Sequence, residues 1–256
     1  ILDLRYNKIF LIRDRFGIKP LYYLKNTNTL IFSSEINSII KSYKKKYTLN
    51  YQAVSNFLSL GFVNSPNSIY SEINKLEAGH YIEYFINKKK LIIKKWWHLK
   101  LKKKIKKISK IKALSLVENQ IKKSIKLWST SDVPISFLLS GGTDSAILTY
   151  FYLKENFHNT HTFSHVFKNK KMKKWNEKKT IDKFIDKFKN THENLFFNEN
   201  LFAKDIYKIM NHLGEPFGGG LPSWQLLKKI SSKFKVAIAG VGGDELFGNY
   251  NRQHKF

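Results

Sequence analysis

Apolar and polar residues alternate over short runs in the first hundred positions. KIFLIR (residues 8–13), PLYYL (20–24) and TLIF (29–32) each fit a half-buried strand, the last two joined by a turn at Asn26, Thr27 and Asn28. SIYSEI, around Ile69, predicts a further strand, and HYIEYFI with KLIIKKWW predicts a hairpin turning at Asn87 and Lys88. Two helices fall between them, one over residues 34–43 and one that starts after Asn50 as its cap and stops near Gly61. The first part therefore reads as an α+β piece built on antiparallel strands.

Residues 99–112, LKLKKKIKKISKIK, break that pattern, and we read them as a solvated connection between two domains. Beyond them the period lengthens. Leu114, Val117, Ile121 and Ile125 mark a helix, PISFLL (134–139) a buried strand, and Ile147, Leu148 and Phe151 a second helix. THTFSHVF, a helix through Ile181, Ile185 and Phe188, the strand ENLFF, helices over 203–213 and 223–234, and the strand KVAIAG complete the series. Strands alternating with helices predict an α/β doubly wound parallel sheet, whose ligand crevice lies beyond the carboxyl ends of its strands.

Two glycine loops sit at such ends. In FLLSGGTDSAILTY (137–150) the residues Ser140, Gly141, Gly142 and Thr143 link a strand to a helix N-terminus, where backbone N–H groups and the helix dipole favour an anion such as phosphate. No lysine follows Gly142, so the loop does not fit the P-loop of kinases and GTPases. Asp144 would repel phosphate unless a divalent cation joined them. AGVGGDELFGNY (239–250) repeats the arrangement, with Asp244 and Glu245 after the glycines. Taken singly, each loop also fits a plain βα turn with an acidic helix start. Taken together, they could hold Mg²⁺ and a nucleotide's pyrophosphate from two sides.

Composition narrows the field. The net charge of +27 raises nucleic acid as a partner, but arginine occurs only at Arg5, Arg13, Arg15 and Arg252, and nucleic-acid recognition favours the arginine fork. Lysines 44–46, 88–90 and 102–104 read as solvated turns and linkers, and nucleic acid is not expected. Cysteine is absent, which removes disulfides, thiolate sites and a cysteine nucleophile from these residues. No apolar run reaches the length of a membrane span and no signal peptide is evident, so a cytoplasmic location without membrane partners is expected. His158, His161 and His165 fall in or before one strand, where His161, Phe163 and His165 share a face, so packing or solvent is expected there rather than a metal. Trp96 and Trp97 read as domain-interface packing residues rather than a ligand platform, and Tyr22 and Tyr23 as core of the first domain.

SGGTDS resembles the SGGxDS signature of the PP-loop ATP pyrophosphatases, which share the adenine nucleotide alpha hydrolase-like fold. RDRFGIKPLYY (13–23), FSSEINSI, SPNSIYSEINKLEAGHYI, WWHL, EPFGGG (215–220) and GVGGDELFGNY extend the likeness to glutamine-dependent asparagine synthetases over nearly the whole chain. The resemblance implies three parts: residues 1–98 as the end of an Ntn-hydrolase-like glutamine amidotransferase domain, 99–112 as a linker, and 113–256 as the start of a synthetase domain. It also implies ATP and Mg²⁺ as cofactors, aspartate, glutamine and ammonia as substrates, a β-aspartyl-AMP intermediate, and a homodimer among the allowed assemblies. Asp144 and Asp244 would act as metal ligands and in catalysis. Leu139, Ser140, Gly141, Gly142, Thr143, Ser145, Ala239, Gly240 and either His165 or Val166 would contact the nucleotide.

The family's cysteine nucleophile and a downstream lysine have no counterpart here. The chain is therefore expected to be a fragment cut at both ends that is inactive alone, with its first part serving as scaffold. Val241 and Gly219 stand where the family commonly carries carboxylates, so an acceptor other than aspartate, such as a sugar acid or a secondary metabolite, stays open. A noncatalytic, lysine-rich binding module is the alternative from another class.

Overall fold

The computed structural model describes residues 1–100, 107–155, 160–168 and 176–247. Two compact units emerge, one of Ile1–Ile105 with Lys204–Leu221 and the other of Lys106–Ala203 with Pro222–Phe256.

In the first unit, β1 (Leu2–Asp3), β2 (Lys8–Ile12), β6 (His80–Phe85) and β7 (Lys90–Lys95) form an antiparallel sheet in the order β1-β2-β6-β7. A second antiparallel sheet has the order β4-β3-β5, from β3 (Tyr22–Lys25), β4 (Leu30–Ser33) and β5 (Asn74–Lys75). Period-two alternation gives β3 two apolar faces. Tyr23 joins Leu11, Leu76, Ile82 and Tyr84 in the layer shared with β2 and β6. Tyr22 and Leu24 face the other way, onto Ile36 and Ile39 of α1 (Ile36–Ser42) and onto Ile73. Both tyrosines are thus core, as expected. In α2 (Tyr51–Leu60) the Asn50 side chain accepts from the Ala53 N–H, and Gly61 closes the helix with φ +82°, the two ends the sequence predicts.

SIYSEI does not form the predicted strand. One bridge, Leu49 to Tyr70, is all that remains, and the short β5 lies just beyond it. The backbone there is spent on other partners. Ser68 Oγ accepts from the Tyr70 N–H and donates to the Tyr70 carbonyl, while the Ile69 N–H goes to a Glu215 carboxylate oxygen at 2.9 Å. Trp97 packs edge-on to Phe16 with centroids 5.1 Å apart, and Trp96, 43% exposed, donates from Nε1 to the Arg13 carbonyl.

The second unit contains α3 (Lys110–Trp128), β8 (Ile135–Leu138), α4 (Thr143–Lys154), β9 (His161–Val166), α5 (Lys178–Phe188) and β10 (Thr191–Phe196). It continues with the start of α6 (Glu199–Leu213), then α7 (Ser223–Ser231), β11 (Val236–Ile238) and α8 (Gly243–Phe247). The four strands are parallel in the order β10-β9-β8-β11. Counting strands within this unit, that order is 3-2-1-4. The direction of winding therefore reverses between β8 and β11, which is where doubly wound sheets open their ligand crevice.

Helices cover both faces. Phe137 and Ile238 meet Ile125 of α3 and Tyr152 of α4, whereas Leu138, Phe163 and Ala237 meet Leu226 and Ile230 of α7. The antiparallel and parallel parts of the expected architecture are both present.

Several expected details shift. The α3 stripe buries only at its second half, since Leu114 is 60% and Val117 40% exposed while Ile125 is 6%. The helix also starts at Lys110, within the expected linker, because the Ser109 side chain caps it by accepting from the Lys112 N–H. Residues 101–106 of that linker lie outside the described residues. On α4 the innermost stripe is Ser145, Thr149 and Tyr152 rather than Ile147, Leu148 and Phe151. Its hydroxyls tolerate burial because Thr149 Oγ1 donates to the Ser145 carbonyl at 2.8 Å and Ser145 Oγ is held by the preceding loop.

Candidate functional site

β8 delivers its loop in a fixed conformation. The Leu139 N–H donates to the Phe163 carbonyl at 2.9 Å, and the Leu139 carbonyl accepts from the buried Ser164 hydroxyl. Leu139 is itself 1% exposed. The loop then closes on Ser145. Ser140 N–H donates to Ser145 Oγ at 3.1 Å, the two hydroxyl oxygens lie 3.0 Å apart, and Ser145 Oγ donates to the Gly142 carbonyl at 3.0 Å. Gly142 N–H donates to Ser140 Oγ at 3.2 Å. Both serines therefore shape the loop from inside.

Gly141 adopts φ +91°, a left-handed conformation that favours glycine. Gly142 caps α4 with no side chain, so the helix start beside Thr143 and Asp144 stays open for an anion. The Asp144 carboxylate lies in this first turn.

The second loop packs directly on the first. β11 pairs with β8 through Ile238 and Phe137, and the chain beyond it passes Ala239, Gly240, Val241 and Gly242 before α8 begins. A Cβ at Gly240 would come within 2.7 Å of the Ser145 nitrogen and 3.0 Å of the Asp144 carbonyl carbon, while one at Gly243 would fall on the Asp144 carboxylate. Only glycine allows this approach. Asp244 and Glu245 occupy the first turn of the five-residue α8. The rest of the quoted second motif, residues 248–250, lies outside the described residues.

The structure thus brings Ser140, Gly141, Gly142, Asp144, Ser145, Gly240 and Gly243 together. The side chains this loop carries, the Asp144 carboxylate and the Ser140 and Ser145 hydroxyls, offer oxygen donors of the kind a hard cation such as Mg²⁺ takes. Among the described residues no group of three or more histidine and acidic side chains forms a ready cage.

His165 and Val166, the alternative adenine contacts, lie on opposite faces of β9. Val166 is 1% exposed, while His165 packs against Phe167 and Phe197 and burial pushes its imidazole below its ordinary pKa. His161 stacks on Phe163 at 4.7 Å, so these two histidines do serve packing, and His158 lies outside the described residues.

Glu177 carried no signal in the sequence, and Glu215 entered only as the first residue of a quoted motif, with no role attached to it. Glu177, at the start of α5, fills the space beside Gly141: a Cβ on that glycine would lie 2.6 Å from Glu177 Cβ and 3.0 Å from its Oε2. Glu215 of EPFGGG belongs to the first unit. Its carboxylate meets Lys75 Nζ at 2.6 Å and accepts from the Tyr22 hydroxyl at 3.0 Å, and burial followed by this carboxylate's charge raises the Tyr22 pKa above its ordinary value.

Comparison with known proteins adds family evidence. A family model described as asparagine synthase matches residues 116–256, and one described as glutamine amidotransferase domain matches residues 1–97. A Methanocaldococcus jannaschii protein, provisionally named glutamine-hydrolyzing asparagine synthetase 2, is 34% identical over 256 residues, covering 98% of this chain and 48% of that protein. Glutamine-hydrolyzing asparagine synthetase 2 of Bacillus subtilis is 30% identical over 276 residues, covering 98% of this chain and 36% of that protein. Asparagine synthetase 1 of the same bacterium is 28% identical, covering 93% and 37%. The chain spans about half the length, or less, of these curated relatives.

Proposed function

The chain belongs to the asparagine synthase family, and on that basis we propose that it is part of an amide-forming ligase that binds Mg-ATP and activates a carboxylate for attack by glutamine-derived ammonia. One observation carries the reading: the loops after β8 and β11 are in contact at the reversal point of the parallel sheet.

In this reading Ser140, Gly141, Gly142, Thr143 and Ser145 cradle the pyrophosphate part of the nucleotide with backbone N–H groups and hydroxyls. Leu139, Ala239, Gly240 and either His165 or Val166 line the rest. Asp144 and Asp244 hold the cation. Bound Mg-ATP would supply the adenylyl group for the acceptor and a screened, departing pyrophosphate. The serine network holds the loop in one conformation before ligand arrives, which limits the ordering that binding must impose. Residues 1–98 would be the end of the Ntn-hydrolase-like amidotransferase domain, 99–112 the linker and 113–256 the start of the PP-loop domain.

Aspartate is the acceptor we propose, activated as β-aspartyl-AMP. A second acceptor class has an observation in its favour. Val241 is 90% exposed, so an apolar side chain meets solvent where the relatives' pattern leads one to expect a carboxylate. Exchange of labelled pyrophosphate into ATP, measured on a protein carrying this chain at the full length of its relatives, separates the two. Aspartate is expected to stimulate exchange about ten- to a hundredfold, the value of one charged hydrogen bond. Stimulation by a sugar acid instead would overturn the aspartate assignment.

A further inference from the structure

Glu177 is held against Gly141 by the way α5 docks. Ile181, one turn into that helix, is 1% exposed. The Glu177 carbonyl accepts from the Thr180 and Ile181 N–H groups at 2.9 and 3.1 Å, and just before it Asn176 Nδ2 donates to the Phe167 carbonyl at 2.8 Å. With its backbone pinned on both sides, the Glu177 side chain takes the volume that any residue but glycine would need at position 141. Among the described residues, its sequence neighbour Lys178 is engaged elsewhere, with Nζ paired to the Asp182 carboxylate at 2.6 Å.

A second carboxylate therefore stands at the rim of the loop that also carries Asp144. The loop's backbone N–H groups and helix start attract an anion, and these two carboxylates oppose one. A metal-free triphosphate meets both effects, whereas its divalent complex brings a charge that both carboxylates favour. We propose that Glu177 is a positioning residue of the nucleotide site, bracing the left-handed turn at Gly141 and making the loop select the Mg²⁺ complex over the metal-free nucleotide. This rests on the Mg-ATP reading above.

The test is calorimetric titration of the chain with Mg-ATP and with ATP in EDTA. Glu177→Gln keeps the bulk and removes the charge. It is expected to narrow the preference for the Mg²⁺ form about three- to tenfold, as one screened charge at short range should, chiefly by tightening the metal-free nucleotide. A residue that only braces the turn would weaken both forms by one factor, and an unchanged preference would overturn the proposal. If Glu177→Gln does not fold, Glu177→Ser takes its place. Failure of both to fold would make the residue a folding element and overturn the proposal too. A wild-type chain that binds neither form would instead overturn the nucleotide reading itself, and this inference with it.

Discussion

Gly240→Ala is expected to weaken Mg-ATP binding at least about a hundredfold and to lower the melting temperature of the chain. The added methyl would sit 2.7 Å from the Ser145 nitrogen and 3.0 Å from the Asp144 carbonyl carbon, both of them main-chain atoms that no rotamer change can move. Relief requires the two loops to separate, and overpacking of this kind costs about 1–3 kcal/mol in a well-packed site before any loss of ligand contacts. Gly142→Ala is the matched comparison. Its backbone has φ −75°, and its methyl would meet only one side-chain atom, the Ser140 hydroxyl oxygen, at 3.3 Å, with no main-chain clash. Titration calorimetry with thermal unfolding of both variants checks the contrast. Equal losses at the two positions would mean that the closeness of the loops has no bearing on binding.

Glu215→Ala is expected to destabilise the first unit by about 3–5 kcal/mol, because it leaves the Lys75 ammonium buried without its partner. Lys75 and Glu215 expose only 11% and 9% of their side chains. Lys75 Nζ would keep its bond to the Val63 carbonyl at 2.7 Å, but among the described residues it would lose its one ion-pair partner. The Tyr22 hydroxyl and the Ile69 N–H would lose their acceptors as well. Urea unfolding followed by circular dichroism reads the loss. Replacing both charges, Lys75→Met with Glu215→Leu, should cost much less than either single change, since no unpaired ion is left in the interior. A double variant as unstable as the sum of the singles would show that the pair is not acting as a unit.

Much of the architecture was legible because it depends on local rules. Tyr22 and Tyr23 point to opposite faces by strand periodicity alone, and Asn50 and Gly61 bound α2 through cap chemistry that needs no tertiary information. SIYSEI failed because its N–H groups are claimed by a local serine turn and by a carboxylate 146 residues away in sequence, neither of which hydrophobic alternation can register. The helix through Ile147, Leu148 and Phe151 forms, with Leu148 and Phe151 against the core, but its most buried positions gave no apolar signal. Ser145 and Thr149 are polar by composition, yet their hydroxyls are satisfied internally, so they bury where leucines seemed the natural choice. Both glycine loops stood out in the sequence. That they touch follows from the strand order β10-β9-β8-β11, a long-range outcome that single-chain patterning leaves open. Glu177 was hidden for the same reason, since its neighbour Gly141 lies 36 residues earlier.

The central claim is that two adjacent strand ends grip one nucleotide together with its cation. Amide NMR during titration with Mg-ATP tests it most directly. Signals from residues 140–145 and 239–244 should shift along one binding curve, and Asp144→Ala should abolish both sets of shifts while leaving the remainder of the spectrum in place. Loops that titrate with different affinities, or a second loop that stays still while the first responds, would contradict it.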